Sequence, residues 1–204
     1  MPDPTRDVLL LPGTGGPTLL LLHGPAGDET ELVPLARALA PDATYLSPRG
    51  EVLERGIRRH FAFLHDGVAD EGELARRARA LRELVEGSAE GRAPGGDPVV
   101  AIGYSTGADM AAAVLLRDPG LLHAAVLLRP RWAPRARGAR LDGTPVLLLA
   151  GRRDPLVPAG AAEGVARELR AAGAAVALEW TDTGHAPAQA ELAVAREWMS
   201  LAGV

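Results

Sequence analysis

The sequence predicts an α/β fold in which a mostly parallel β-sheet is covered by helices on both faces, within a single domain over residues 1–204. Short apolar runs alternate with segments of helical periodicity, which is typical of parallel strands joined by helical crossovers. Most of these runs are continuous, as expected of strands buried on both faces. With 204 residues, 47% of them hydrophobic, the chain can form a substantial core but is short for two domains.

The apolar runs predict seven strands, over residues 7–11, 18–23, 43–47, 98–104, 123–128, 145–151 and 175–180. The first two runs flank PGTGGP, a glycine-rich segment that suits a tight turn between antiparallel strands. We therefore expect these two strands to form a hairpin at one edge of the sheet.

Five helices are predicted between the strands, over residues 30–40, 73–87, 106–117, 159–173 and 186–203. In the second of these, apolar residues recur at helical spacing with arginines between them, which indicates one buried and one solvated face. Residues 47–73 fit neither pattern, although they contain both phenylalanines and two of the five histidines. Long loops in compact domains are usually either functional or disordered, and the aromatic residues here argue against disorder, so we interpret this segment as a pocket wall.

Composition excludes several classes of chemistry. The chain contains no cysteine and no lysine, so disulfides, thiolate metal sites, cysteine nucleophiles and Schiff bases are excluded. A net charge of −4 with scattered arginines argues against nucleic acid as a partner. No apolar run reaches the ~20 residues that span a bilayer, and the acidic start does not resemble a signal peptide, so we expect a cytoplasmic protein with no membrane partner. The densest basic stretch, residues 129–140, is either a phosphate-contacting loop or a solvated loop between two strands, and we favour the solvated loop.

A candidate nucleophile lies between the fourth predicted strand and the third predicted helix. Gly103-Tyr104-Ser105-Thr106-Gly107 is a G-x-S-x-G motif. In a strand–turn–helix context this motif allows a sharp turn that presents the serine hydroxyl above the sheet edge, next to the positive end of a helix. The sequence therefore predicts Ser105 as a nucleophile.

A serine hydroxyl needs a base, and the base needs an orienting carboxylate. Asp154 follows one predicted strand and His185 follows the last one, so both should lie at the carboxyl edge of the sheet with Ser105. The order Ser, Asp, His is the order in which α/β-hydrolases supply their triads. Asp182 is a rival for the carboxylate, whereas His60 and His123 belong to no motif and are expected to be structural or to line the pocket.

The chain resembles serine esterases of the α/β-hydrolase fold, and in particular the small carboxylesterase/phospholipase family that includes hydrolases of bacterial hydroquinone detoxification. The matching segments are LLHGPAGDETELVPLARALAP, YLSPRGEVLERG, AIGYSTGADMAAAVLLRDPGLLHAAVLLRP, TPVLLLAGRRDPLVP and TGH. The resemblance implies a sheet between two helical layers with no separate cap domain, and hydrolysis of small carboxylic esters without a cofactor or a metal. It also implies triad roles for Ser105, Asp154 and His185.

The resemblance raises a difficulty at the oxyanion hole. In such enzymes two backbone amides bind the oxyanion: that of the residue after the nucleophile, here Thr106, and that of the residue after the early His-Gly pair, here Pro25. Proline has no N–H. Either the loop shifts so that Ala26 or Gly24 donates instead, or the hole has one backbone donor and the enzyme is weak. We favour a shifted loop, because the following Gly27-Asp28-Glu29 matches the family pattern.

The function that we expect from the sequence is hydrolysis of a small-molecule ester through an acyl-enzyme intermediate. A pocket formed by Tyr104, Phe61, Phe63, His65 and Leu156 would favour short acyl groups. Asp109 stands where relatives commonly have asparagine. Its carboxylate either discourages anionic substrates or binds loop amides, and we favour the second.

A second hypothesis is a hydrolase-like protein with weak or no turnover that binds a small carbonyl or phenolic ligand, which Pro25 favours. Peptidase activity is a third and weaker hypothesis. The sequence leaves open whether the chain forms a homodimer.

Overall fold

A computed structural model describes residues 7–62, 70–88 and 97–204. Seven strands form one sheet: β1 (Val8–Leu11), β2 (Thr18–Leu22), β3 (Thr44–Pro48), β6 (Val99–Tyr104), β7 (Ala124–Leu128), β8 (Pro145–Gly151) and β9 (Ala175–Thr181). Two short strands, β4 (Val52–Glu54) and β5 (Ile57–Arg59), form a separate hairpin. The helices are α1 (Val33–Leu39), α2 (Glu71–Ser88), α3 (Thr106–Arg117), α4 (Ala159–Ala171) and α5 (Gln189–Ala202).

The order of strands across the sheet is β1-β3-β2-β6-β7-β8-β9, and every neighbouring pair is parallel except β1 with β3. The predicted fold class is therefore confirmed. The central strands β2 and β7 are buried along their whole length, which explains their uninterrupted apolar sequences.

The predicted hairpin between the first two strands is wrong. The strand β1 is antiparallel and lies at the sheet edge, but its partner is β3. The crossover through α1 places β3 parallel to one side of β2, and β6 occupies the other side, so β1 pairs with the outer side of β3. The glycine-rich segment instead packs against the turn before β3, where the amides of Thr14 and Gly15 donate to Asp42 O at 2.9 and 3.0 Å.

Helices cover both faces of the sheet and bury a separate apolar cluster on each. On one face, α2, α3 and α4 pack over alternate residues of the central strands, including Leu127. On the other, α1 and α5 pack over the intervening residues, including Val126. None of the five helices in the described part of the chain is both long enough and apolar enough to cross a bilayer.

The described part of segment 47–73 includes a regular element that the sequence did not predict. It contains the β4–β5 hairpin, whose turn residues Arg55 and Gly56 have φ of +50° and +79°. Both angles are positive, as in the type I′ turns that favour tight hairpins. Residues 63–69, including the predicted pocket residues Phe63 and His65, lie outside the described part of the chain.

Candidate active site

The turn between β6 and α3 holds Ser105 in a strained conformation. Its φ is +52° and its ψ is −115°, a region that side-chain-bearing residues rarely occupy. A Cβ at Gly103 would lie 2.6 Å from Gly107 O, and a Cβ at Gly107 would overlap the carbonyl oxygen of Leu22. Both glycines of the motif are therefore required for the chain to turn so sharply against β2.

Asp154 and His185 form a hydrogen-bonded pair at the carboxyl ends of β8 and β9. The Nδ1 atom of His185 is 2.8 Å from Oδ2 of Asp154, and the Asp154 side chain is 1% exposed. The amides of Leu156 and Val157 donate to Oδ1 at 2.8 and 3.1 Å. Burial opposes ionisation of Asp154, but the hydrogen bonds from His185 and from the two amides outweigh it and hold the pKa of Asp154 below its ordinary value.

The rival carboxylate does not contact this histidine. Asp182 is exposed and pairs with Arg153 at 2.8 Å. His123 accepts a hydrogen bond from Val99 N at 3.1 Å, and the buried His60 ring lies 4.4 Å from that of His23 between centroids. These two histidines therefore contact the backbone and the interior rather than the Asp154–His185 pair.

Tyr104, the residue before the candidate nucleophile, packs beside the imidazole of His185. The Tyr104 ring lies 5.4 Å from the His185 ring between centroids, so the imidazole lies beside the β6–α3 turn. None of the hydrogen bonds among the described residues joins Ser105 Oγ to His185. In ligand-free enzymes such bonds are often long and shorten only when substrate binds.

The amides of the loop after β2 are already engaged in hydrogen bonds within the protein. Gly24 N donates to Glu31 Oε2 at 2.7 Å, Ala26 N donates to Arg58 O at 3.0 Å, and Gly27 N donates to Gly24 O at 3.1 Å. Pro25 has no N–H. An oxyanion contact from Gly24 or Ala26 would therefore require an existing hydrogen bond to break. The Thr106 amide is different, because Thr106 is the first residue of α3 and helix-terminal amides have no intrahelical partner.

A groove of about 400 Å³ lies beside this arrangement. It is lined by Tyr104 and Glu31 on one side and by Pro187 and Leu192 on the other. Of the other predicted pocket residues, Phe61 is completely buried with its ring 6.0 Å from that of Trp132, while the Leu156 side chain is exposed. A role for these residues in substrate binding stays a prediction. A second cavity, of about 540 Å³, lies between the β1–β3 edge and α2, away from Ser105.

Asp109 binds loop amides, as expected. This fully buried carboxylate, in the first turn of α3, accepts hydrogen bonds at Oδ1 from Arg131 N at 2.8 Å and Trp132 N at 2.9 Å. Burial raises the pKa of Asp109 to about 6, although these hydrogen bonds and the Arg131 charge oppose the shift. The carboxylate thereby anchors the loop whose Trp132 packs against Phe61.

The sequence model of the dienelactone hydrolase family matches residues 58–197, more than half of the chain. The chain belongs to the dienelactone hydrolase family. The matched segment includes Ser105, Asp154 and His185 but not the loop with Pro25.

Similar proteins include hydrolases. The chain is 41% identical over 189 residues to a Bacillus subtilis (strain 168) protein named "Putative hydrolase MhqD", which covers 91% of this chain and 94% of that protein. A carboxylesterase of Bacillus cereus is 38% identical and superposes with a TM-score of 0.86 over 96% of this chain and 93% of its own. A protein of unknown function from Agrobacterium tumefaciens, Atu2452, is 31% identical with a TM-score of 0.85, over 99% and 100% of the two chains. Family and neighbours together support an esterase-type hydrolase with the α/β-hydrolase fold.

Two buried charged residues beside the site were missed from the sequence. Residues 129–140 were expected to be solvated, but the Arg129 side chain is completely buried against Glu191 of α5. The signal was an arginine directly at the end of an apolar strand, and a glutamate at an inward position of an otherwise apolar helix face.

Among the described residues, no group of three or more acidic or histidine side chains is arranged to hold a metal ion.

Proposed function

We propose that this chain hydrolyses small carboxylic esters, with Ser105 as nucleophile, His185 as general base and acid, and Asp154 as the carboxylate that orients the imidazole. The observation that carries the proposal is the 2.8 Å contact between His185 Nδ1 and Asp154 Oδ2 at the same sheet edge as the strained Ser105. Membership of a hydrolase family and likeness to a carboxylesterase support it.

The pair determines which imidazole nitrogen acts as the base. Because the pKa of Asp154 is lowered, its carboxylate is ionised near neutral pH and can only accept a hydrogen bond. The Nδ1 atom of neutral His185 therefore carries the proton, which leaves Nε2 as a proton acceptor.

The reaction then has two steps. Ser105 Oγ attacks the acyl carbon while Nε2 of His185 accepts its proton, and the same proton passes to the departing alkoxide to release an alcohol. Water next attacks the acyl-enzyme, with His185 again as base, and releases the carboxylic acid and the free serine. The amide of Thr106 stabilises the oxyanion in both steps.

The test is covalent labelling combined with turnover. Incubation with a fluorophosphonate should add one adduct to the intact protein, located at Ser105 by peptide mapping, and short-chain p-nitrophenyl esters should be hydrolysed. Ser105→Ala should abolish both, whereas Ser200→Ala, on the exposed face of α5, should leave both unchanged. A wild-type protein that hydrolyses esters without a Ser105 adduct, or a Ser105→Ala variant with full turnover, would overturn the proposal.

A second candidate function is favoured by the internally bonded loop. With Gly24 N and Ala26 N engaged and Pro25 lacking an amide, the site could retain a hydrolase geometry and serve to bind a small carbonyl or phenolic ligand. A protein that neither reacts with the fluorophosphonate nor turns over esters, yet binds such ligands in calorimetry, would support this function instead.

A further inference from the structure

Arg129 is a buried cation at the carboxyl end of β7. It contacts the chain segment that carries His185, it is anchored to the sheet and to α5, and it lies close to Asp154. Its side chain has no exposed surface and its backbone has φ of +55°. An isolated buried charge is strongly unfavourable, so residues of this kind are retained only with full compensation. The partners of Arg129 therefore show what the residue holds together.

The guanidinium joins the chain on both sides of His185. Its Nε donates to Gly184 O at 2.8 Å, and one terminal nitrogen, Nη2, donates to Thr183 Oγ1 at 2.8 Å and to Ala186 O at 3.4 Å. Gly184 and Ala186 are the immediate neighbours of His185. One guanidinium therefore binds the peptide group that precedes His185, through Gly184 O, and the carbonyl of the residue that follows it, Ala186.

The other contacts anchor this side chain to the sheet and to α5. Nη1 donates to Leu149 O at 3.0 Å and lies 2.8 Å from Glu191 Oε1, while Nη2 lies 3.0 Å from Glu191 Oε2. Glu191 is 1% exposed and also accepts from Thr181 Oγ1 at 2.6 Å and Ala188 N at 2.9 Å. Burial opposes the ionisation of Glu191, but these hydrogen bonds, that of Arg129 first, hold its pKa below the ordinary value.

Arg129 also lies close to Asp154, the carboxylate of the Asp154–His185 pair. Its Nε is 3.9 Å from Asp154 Oδ2, the oxygen that contacts His185 Nδ1. The guanidinium donors are directed at other acceptors, so this contact is electrostatic rather than a hydrogen bond. Glu191 lies at the opposite end of the guanidinium, on Nη1 and Nη2, so Arg129 is the nearer charge to Asp154.

We propose that Arg129, paired with Glu191, is a positioning residue for ester hydrolysis: it binds both chain neighbours of His185 and thereby holds the imidazole against Asp154 and toward Ser105. This inference rests on the proposed function. Lysine cannot replace it, because an ammonium lacks the planar fork that reaches several acceptors in fixed directions.

The experiment compares Arg129→Lys with the double variant Arg129→Met/Glu191→Gln, which removes both charges and so leaves no unpaired buried carboxylate. Turnover is expressed per Ser105 labelled by the fluorophosphonate, which excludes misfolded protein from the comparison. We expect kcat to fall about 100-fold in both variants, the size of the penalty for an imidazole displaced by about 1 Å, with KM within threefold of wild type.

The pH profile separates positioning from a structural role. The acid limb should keep its midpoint in Arg129→Lys, which retains the charge, and should move to higher pH in the double variant, which loses the cation nearest Asp154 and so favours the charged imidazole. Other titratable groups near the pair are unchanged in both variants: Tyr104 and Glu31 line the adjacent groove, and Arg153 and Asp182 are exposed and bound to each other. Arg82→Lys is the matched control, because Arg82 forms a similar forked pair with Asp118 at the distant end of α3.

The outcomes distinguish this inference from the proposed function. If wild-type protein is labelled at Ser105 and Arg129→Lys retains wild-type kcat per labelled site, the positioning role is wrong and the esterase proposal stands. If wild-type protein is neither labelled nor active, the esterase proposal fails. Arg129 would then have no ester hydrolysis to support, and both the positioning role and the esterase proposal would be withdrawn.

Discussion

Three residues at or near the β6–α3 turn have a strained backbone conformation. Ser105, Ala26 and Arg129 have φ of +52°, +62° and +55°, and each lies at the carboxyl edge of the sheet or in the adjacent loop. A non-glycine residue in this region of φ costs of the order of 1 kcal/mol or more. They are three of the six non-glycine residues with positive φ in the described part of the chain, and at this edge the strain serves to orient the groups that we propose to react.

Pro25 provides a direct test of the oxyanion hole. Pro25→Gly and Pro25→Ala both add an N–H at the position where related enzymes have a donor, and a second donor is worth about 10²–10³ in kcat. We expect both variants to raise the kcat for p-nitrophenyl acetate, measured at saturating substrate. Because alanine adds the amide without the flexibility of glycine, equal gains would attribute the effect to the N–H. Unchanged turnover in both variants would show that the missing amide does not limit catalysis.

At the scale of elements, sequence predicted best where a pattern depends on local burial. The continuous apolar runs identified the strands of the main sheet because burial on both faces excludes polar side chains. Pairing was predicted less well: β1 and β2 are adjacent along the chain, but the crossover connection decides which edges are free. The β4–β5 hairpin was missed because its strands have only three residues each and its turn is Arg-Gly rather than Asn-Gly.

The same distinction between local patterns and long-range contacts applies to the candidate site. The motif, order and position after strands identified Ser105, Asp154 and His185 as candidates, since each depends on local sequence and strand ends. The contacts of Arg129 join residues 20 to 62 positions apart, and no local pattern encodes such a network. The engaged loop amides likewise depend on Arg58 and Glu31, which lie outside the loop's own motif.

The first turn of α3 gives a prediction about stability. The pKa of Asp109 is raised to about 6 by burial, from an ordinary value of 3.8, so the folded protein retains this proton where the unfolded chain has lost it. Stability from this group is thus fully present below about pH 4 and is lost as pH rises through 6. Relative to Asp109→Asn, the free energy of unfolding of the wild type should fall by about 2 kcal/mol between pH 4 and pH 7, measured by urea denaturation. Asp142→Asn, at an exposed carboxylate, is the control and should show no such divergence. Parallel curves for wild type and Asp109→Asn would contradict the raised pKa.

At the scale of the whole molecule, the sheet is the only layer shared by the two apolar clusters within the described residues. Successive residues of β7 alternate between them: Leu127 belongs to the cluster under α2, α3 and α4, and Val126 to the cluster under α1 and α5. A side chain lost on one face shifts a strand that also supports the other. The triad candidates come from β6, β8 and the loop after β9, so their relative positions depend on this shared layer.

This arrangement predicts that the two faces unfold together. Trp132 packs against the first cluster and Trp198 against the second, so variants that keep one of these as the sole tryptophan, with Trp180 also replaced, report on each face separately. Leu127→Ala should lower the free energy of unfolding by about 2–5 kcal/mol, the usual effect of a leucine truncated in a core. Tryptophan fluorescence in urea should give the same midpoint at both probes, because the loss of packing on one face is transmitted through β7. Val126→Ala, on the opposite face, should likewise shift both probes together, by a smaller amount. If Leu127→Ala moved the Trp132 transition and left the Trp198 transition at its wild-type midpoint, the two faces would be separate folding units, and the single-domain organisation predicted from the sequence would be wrong.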